Sequence, residues 1–265
     1  MALARADLES LLQTRQLART LTPAPSSTGV LDEYAAGLTG VPALDARLLG
    51  GLPRGQLSEL VGPRSSGRTS LLLRLLAAAT ARGELVALVD ALDMLDVESA
   101  AAAGADLERL LWIRGVVVAN PGMCHDMNQR AMEQAVRALT LVLQAGNFGL
   151  VVFDVVDAPA EALRRLPFTT WLRLQRMVEG RQTVCVLAGA ERMARSSAGL
   201  TLRLGMKEQG IGAGLGLGMR EQGTAPRFAG RLFEGLDIHA RVIRARAGVR
   251  EDTAVVIRTA VCHHG

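Results

Sequence analysis

From residue 56 onward, short apolar runs alternate with stretches whose apolar residues recur at helical spacing. QLSELVG (56–62) predicts a strand that runs into a loop. TSLLLRLLAAATAR (69–82) predicts a helix that is apolar on almost every side and closed by Gly83, and therefore buried. ELVALVD (84–90) is the next strand, VESAAAAG (97–104) a short helix and LLWIRG (110–115) a further strand. The period of DMNQRAMEQAVRALTLVLQAG (126–146) turns Met132, Val136, Leu139 and Leu143 inward and stops at Gly146. LVVFDVVD (150–157) is an unbroken apolar strand of the kind buried on both faces. A helix in TTWLRLQRMVEG (169–180) and a strand in TVCVLAG (183–189) follow. This alternation calls for an α/β fold, a mostly parallel sheet with helices on both faces.

The two ends of the chain depart from that rhythm. LDIHARVIRARAG (236–248) and TAVVIRTAV (253–261) are β-rich and separated by VRED, which predicts an antiparallel hairpin at the sheet edge. Before them lies the glycine-rich stretch 205–223, where GMKEQG recurs as GMREQG; it reads as a flexible hairpin or loop born of a small duplication. At the other end, Leu8, Leu11, Leu12 and Leu17 share one side of a helix within residues 3–19. The expected plan is an N-terminal helical arm (1–21), a linker (22–37) that opens on TPAPSSTG, and a core domain (38–265). The arm's leucines suit packing on its own core or gripping another protein equally well.

Composition sets bounds without naming a function. At 265 residues, 49% hydrophobic and 21% charged, the chain can bury one full core. A net charge of +4 with a pI near 9.6 is compatible with nucleic acid or an acidic partner and requires neither. Cys124, Cys185 and Cys262 are odd in number and widely spaced, which reads as reduced thiols of a cytoplasmic protein. MALARADLESLL lacks the apolar centre of a signal peptide, and Gly146 with Asn147 divides LTLVLQAGNFGLVVF into helix end and strand, so no membrane span is expected.

The chemistry concentrates in GPRSSGRTS (62–70). The phosphate-binding loop G-x-x-x-x-G-K-[ST] uses glycines for a tight turn, backbone amides around the phosphates, a lysine and a hydroxyl toward Mg²⁺. Gly62, Gly67 and Thr69 stand where the pattern needs them, with Ser65, Ser66 and Ser70 beside them, but Arg68 holds the lysine's place. Only Lys207 among the 30 basic residues is a lysine, so general drift toward arginine accounts for part of this. A forked, planar guanidinium neutralises phosphate charge without reproducing the position of an ammonium.

TGVPALDARLLGGLPRGQLSELVGP leads into this loop, a strand ending in Asp90 follows it, and GLVVFD (149–154) ends in Asp154. Together these segments resemble the bacterial recombinase RecA from about residue 38 to about 200, and weakly through the final hairpin. The resemblance implies a RecA-like core and a nucleotide held by Gly62, Ser65, Ser66, Gly67, Arg68, Thr69 and Ser70. Asp96 would stand toward the adenine, and Asp154 would be the Walker B aspartate facing Mg²⁺. In RecA-like ATPases a glutamate two residues beyond the first strand's aspartate polarises the attacking water; here that position is Leu92, and Asp93 beside it points elsewhere on an extended backbone. Ser99 replaces the tyrosine that stacks on adenine. Lysine, glutamate and tyrosine are thus lost together, which implies ATP or ADP with Mg²⁺ bound without efficient hydrolysis, or no nucleotide at all.

Two further departures concern DNA. The first of RecA's mobile DNA-binding loops is shortened in DAPAEALRRLPFTTWLRLQ (157–175). The second is short in AERMARSSAGLTL (190–202), and Gly189 and Ala190 replace the family's Asn-Gln pair. No counterpart of RecA's C-terminal domain is expected. A truncated core with a degraded nucleotide site is similar to ImuA, a family of RecA-like accessory proteins of damage-induced mutagenesis. That resemblance implies RecA and an ImuB-type Y-family polymerase homologue as partners, in SOS-linked translesion DNA damage tolerance. Two alternatives stay open: an active DNA-dependent ATPase or recombinase using Arg68 with Asp93 as a displaced acid, and a cell-division regulator on the same degenerate fold.

The remaining candidates read as structural. Arg231, Arg241, Arg244, Arg246, Arg250 and Arg258 could present a basic face, but strand alternation puts Arg244 and Arg246 on one side and Arg241 on the other. With aromatics at 3% there is no base-stacking platform, so the arginines read as a solvated edge that discourages sheet-to-sheet association, with weak, salt-sensitive DNA binding as the alternative. CHH (262–264) and the pair Cys124 and His125 lack structural-zinc spacing.

Overall fold

The computed structural model describes residues 36–119, 125–206, 237–245 and 254–258. In chain order its elements are β1 (Ala36–Gly37), α1 (Pro42–Arg47), β2 (Leu52–Pro53), β3 (Leu57–Val61), α2 (Arg68–Ala81), β4 (Val86–Asp90) and α3 (Val97–Ala102). Then come β5 (Leu110–Arg114), α4 (His125–Ala145), β6 (Leu150–Asp154), α5 (Ala160–Arg164), α6 (Phe168–Val178), β7 (Val184–Gly189), β8 (Ala198–Met206), β9 (Asp237–Ala245) and β10 (Ala254–Arg258). The N-terminal arm, Arg231, Arg246, Arg250, Cys124, the CHH run and all but the first residues of the glycine-rich repeat lie outside the described residues.

Eight strands form one sheet in the order β10-β9-β8-β3-β7-β6-β4-β5. The stretch from β8 to β5 is parallel, while β9 and β10 add antiparallel at one edge, the hairpin that the β-rich tail predicts. β3, β4 and β7 are buried residue by residue, because helices cover both faces. On one face Leu44 of α1, Leu72 and Leu76 of α2 and Ala100 of α3 pack on Leu60, Leu88 and Val152. On the other, Met132 and Leu139 of α4, Ala162 of α5 and Trp171 of α6 pack on Val89, Phe153 and Leu187. Each fully buried leucine or phenylalanine here contributes about 1.5–3 kcal/mol relative to exposure. The inward set read for α4 holds, with Val136 half-buried at its margin.

Three features differ from the sequence reading. Ala36 and Gly37, placed at the end of the linker, pair with Pro53 and Leu52 as a two-stranded ribbon. Residues 198–206, taken partly for the remnant of a loop, are the nine-residue strand β8, parallel to β3. And Arg241 and Arg244 share a face rather than splitting. Val242 pairs with Leu202 and Arg244 with Thr201, so Ile243 is a bulge that shifts the alternation by one residue. Arg203, opposite Arg241, joins them on that face, where Arg203, Arg241 and Val256 of β10 are exposed.

Candidate functional site

β3 delivers the chain to the loop at residues 62–67, and α2 starts immediately after it. Gly67 stands at the helix N-cap in the left-handed region (φ 85°), and a Cβ there would lie 2.2 Å from Ile238 Cδ1. A Cβ on Gly62 would come within 2.3 Å of the Leu204 carbonyl oxygen, so the loop can lie this close to β8 only with glycine. Ser65 also takes a left-handed φ of 58° and is exposed. These constraints turn the loop's backbone over the first turn of α2, where the helix dipole and unpaired amides favour an anion.

Two buried polar atoms there lack partners among the described residues. Ser66 is 2% exposed and Arg68 5% exposed, yet Ser66 Oγ and Arg68 Nη1 make no hydrogen bond. Burial holds the Arg68 guanidinium below the usual arginine range, with Asp157 and Asp154 pulling it back and Arg64 pushing the same way as burial. An unpaired donor and an unpaired hydroxyl beneath an amide-rich loop fit an anion such as a phosphate.

Beside the loop opens a cleft of about 370 Å³. Thr69, Ser70, Asp96, Ser99 and Asp154 line it, together with Leu92. Asp154 ends β6 directly opposite Asp90 of β4, and its Oδ1 accepts from Val156 N at 3.0 Å. Burial pushes its carboxyl up to about 6, Asp90 and Asp157 push the same way, and the Val156 amide and Arg68 oppose them. Asp96 N-caps α3 by accepting from Glu98 N at 3.2 Å, and the Ser99 hydroxyl, foremost, holds its carboxyl below the usual range. Asp90 Oδ2 accepts from Met94 N (2.8 Å), Leu95 N (2.9 Å) and Trp112 Nε1 (3.2 Å), which fixes the turn that carries Leu92.

Asp93 lies outside the cleft lining. Its two carboxylate oxygens accept from Arg114 Nε (2.6 Å) and Nη2 (2.7 Å), and those hydrogen bonds, first of all, hold it below the usual carboxylate range. Arg114 in turn lies 4.8 Å over the Trp112 ring. The one acid adjacent to the Leu92 position is thus committed elsewhere. Of the residues singled out in the sequence, Thr69, Ser70, Asp96 and Asp154 share the cleft; Ser66 and Arg68 are buried and do not line it, and Gly62, Ser65 and Gly67 shape the loop.

Sequence reading missed Glu59. It sits in the middle of β3, is fully buried, and accepts from Met193 N and Ala194 N (both 2.7 Å) and from Thr201 Oγ1 (3.0 Å). The available signal was a lone acid inside the apolar run LSELV, since a buried charge must find partners. The Arg64–Asp157 ion pair at 3.0 Å was also missed.

The Asp154 environment carries a prediction. A carboxyl raised in the folded state stabilises the fold fully below its unfolded pKa, 3.8, and loses that contribution as pH rises through about 6. The stability of the wild type minus that of Asp154→Asn should therefore fall by about 3 kcal/mol between pH 3.5 and 7. Denaturant titrations of both proteins across that range measure it; a flat difference would contradict the assigned environment.

Residues 31–162 match the RecA N-terminal domain family model. The core is RecA-like. Over 121 residues the chain is 40% identical to Protein RecA of Clavibacter michiganensis subsp. michiganensis (strain NCPPB 382), a match that covers 45% of this chain and 30% of that protein. Over 127 residues it is 39% identical to Protein RecA of Salinispora tropica (strain ATCC BAA-916 / DSM 44818 / JCM 13857 / NBRC 105044 / CNB-440), covering 48% and 32%. The chain thus spans about a third of the length of these relatives. The RadB recombinase structure superposes with a TM-score of 0.57 at 18% identity, covering 84% of this chain and 95% of RadB, a likeness of fold. That likeness of fold covers more of this chain than the 45–48% aligned with the RecA relatives. Among the described residues no helix is long and apolar enough to cross a membrane.

Proposed function

We propose that this protein is a RecA-like accessory protein of the ImuA type. In this reading it holds a nucleotide or phosphate without efficient turnover and serves damage-induced translesion synthesis by binding RecA and an ImuB-type polymerase homologue. The observation that carries the non-catalytic part is Leu92: a side chain with no lone pair lines the cleft where water must be polarised, while Asp93 is paired with Arg114. The anion nest is retained, so binding survives where hydrolysis does not. Gly62, Ser66, Gly67 and Arg68 would hold the phosphates, and Thr69 with Asp154 would face a Mg²⁺ ion. That ion would supply charge neutralisation between them.

The segments that carry DNA in RecA support the accessory role. Only a short α5 separates Asp157 from α6, and residues 190–197 alone connect β7 to β8. Arg68 with Asp93 as a displaced acid, the premise of an active recombinase, requires Asp93 to leave a bidentate ion pair. Weak DNA contact through Arg203, Arg241 and Arg244 is compatible with either role.

Affinity capture tests the partner assignment. Immobilised protein is expected to retain purified RecA and purified ImuB-type protein, each from the same organism. Retention of neither, at concentrations where the immobilised protein remains folded, would contradict it.

A further inference from the structure

We propose that the pocket between α5, α6 and residues 190–197 is a docking site for a short peptide that carries acidic residues beside one bulky apolar side chain. It shares no lining residue with the nucleotide cleft. Its floor is apolar and closed: Val155, Leu166, Trp171 and Met193 are each below 10% exposed and all line it. The volume is about 250 Å³, below the roughly 300–1,000 Å³ of sites that enclose whole drug-sized ligands. One or two anchoring side chains fit this space.

The rim supplies the charge. Arg164, Arg192 and Arg195 line the pocket, and the one acid among the lining residues is Glu191, 3.8 Å from Arg164. Arg195 lies 5.9 Å over the Phe168 ring, and its carbonyl oxygen accepts from Arg244 Nη1 at 3.1 Å. Through Arg244 the basic rim continues onto the sheet face that carries Arg241 and Arg203. An apolar hole beside a band of guanidinium groups is complementary to an acidic segment with an apolar anchor.

The wall is also held in place. Glu59 accepts from the amides of Met193 and Ala194, and Arg195 next to them is kept at a left-handed φ of 48°. A preformed wall lowers the ordering cost of binding. A peptide suits the site better than a nucleic acid, because Trp171 is buried in the floor and unavailable for stacking, and Phe168 is the one exposed aromatic of the lining.

The test is fluorescence anisotropy on the full chain. The probes are labelled synthetic octapeptides that place two aspartates at one to five residues from a single Leu, Phe or Trp. The best of them are expected to bind with micromolar Kd, and their counterparts with lysine in place of aspartate are expected not to bind. Arg192→Glu, which alters an exposed side chain, and Ala158→Leu, which fills the pocket, should each weaken binding at least tenfold. Absence of binding across the set at millimolar peptide would overturn the proposal, as would binding that both variants leave unchanged. A labelled oligo-dT that binds, loses binding in Arg192→Glu and outcompetes the peptides would overturn it in favour of single-stranded nucleic acid.

Discussion

Replacing Glu59 with alanine is expected to destabilise the protein by about 3–5 kcal/mol, with a fall in Tm of roughly 10 °C. Glu59 sits at the centre of β3, between β7 and β8, and its carboxylate is the shared acceptor for Met193 N, Ala194 N and Thr201 Oγ1. The alanine side chain removes the acceptor and leaves two amides buried without partners, each costing about 1–3 kcal/mol. Glu59→Gln keeps an oxygen for the two amides and turns an NH₂ toward the Thr201 hydroxyl, which can accept. It should therefore cost only about 1 kcal/mol. Chemical denaturation of the three proteins measures the difference. Equal losses in both variants would mean that the charge, and not the set of hydrogen bonds, holds the segment after β7.

Replacing Arg68 with methionine is expected to act in opposite directions on stability and on anion binding. Arg68 is buried in the first turn of α2 with Nη1 unpaired, and the site pushes its guanidinium below the usual range through burial. A shorter apolar side chain of similar volume removes a desolvated cation and leaves little empty space, so the ligand-free variant should gain about 1 kcal/mol. The same change removes the buried cation at the start of α2, and affinity for fluorescent ADP should fall at least tenfold. Thermal melts and a binding titration on the same preparations decide it. Lower stability with unchanged ADP affinity would show that Arg68 is a structural residue and not part of an anion site.

Long-range order was legible wherever a run was both apolar and bounded. LSELV and VALVD were legible as strands, and LVVFD as one buried on both faces, because its apolar run has no polar alternation. The antiparallel hairpin was legible from two β-rich segments around VRED. β8 was missed although LTLRL alternates strictly, because it follows directly on a stretch read as the remnant of a loop; it pairs with β3 on one side and β9 on the other. The bulge at Ile243 was equally hidden, because a one-residue shift depends on the partner strand's register and leaves no local signature. At the site, the loop residues were visible from glycine spacing, and Leu92 from its place in VDALDMLD. The Asp93–Arg114 pair joins the ends of two adjacent parallel strands, β4 and β5, and no spacing along the chain encodes it.

The central claim is that the cleft binds without turning over, and it is tested most directly by ATP hydrolysis. Phosphate release should be measured with Mg²⁺, with and without single-stranded DNA, for the wild type and for Thr69→Ala. The expected result is no release above the Thr69→Ala baseline in either condition, because Leu92 leaves the attacking water unpolarised and Asp93 remains paired with Arg114. DNA-stimulated release that Thr69→Ala abolishes would contradict the account and make the protein an active DNA-dependent ATPase.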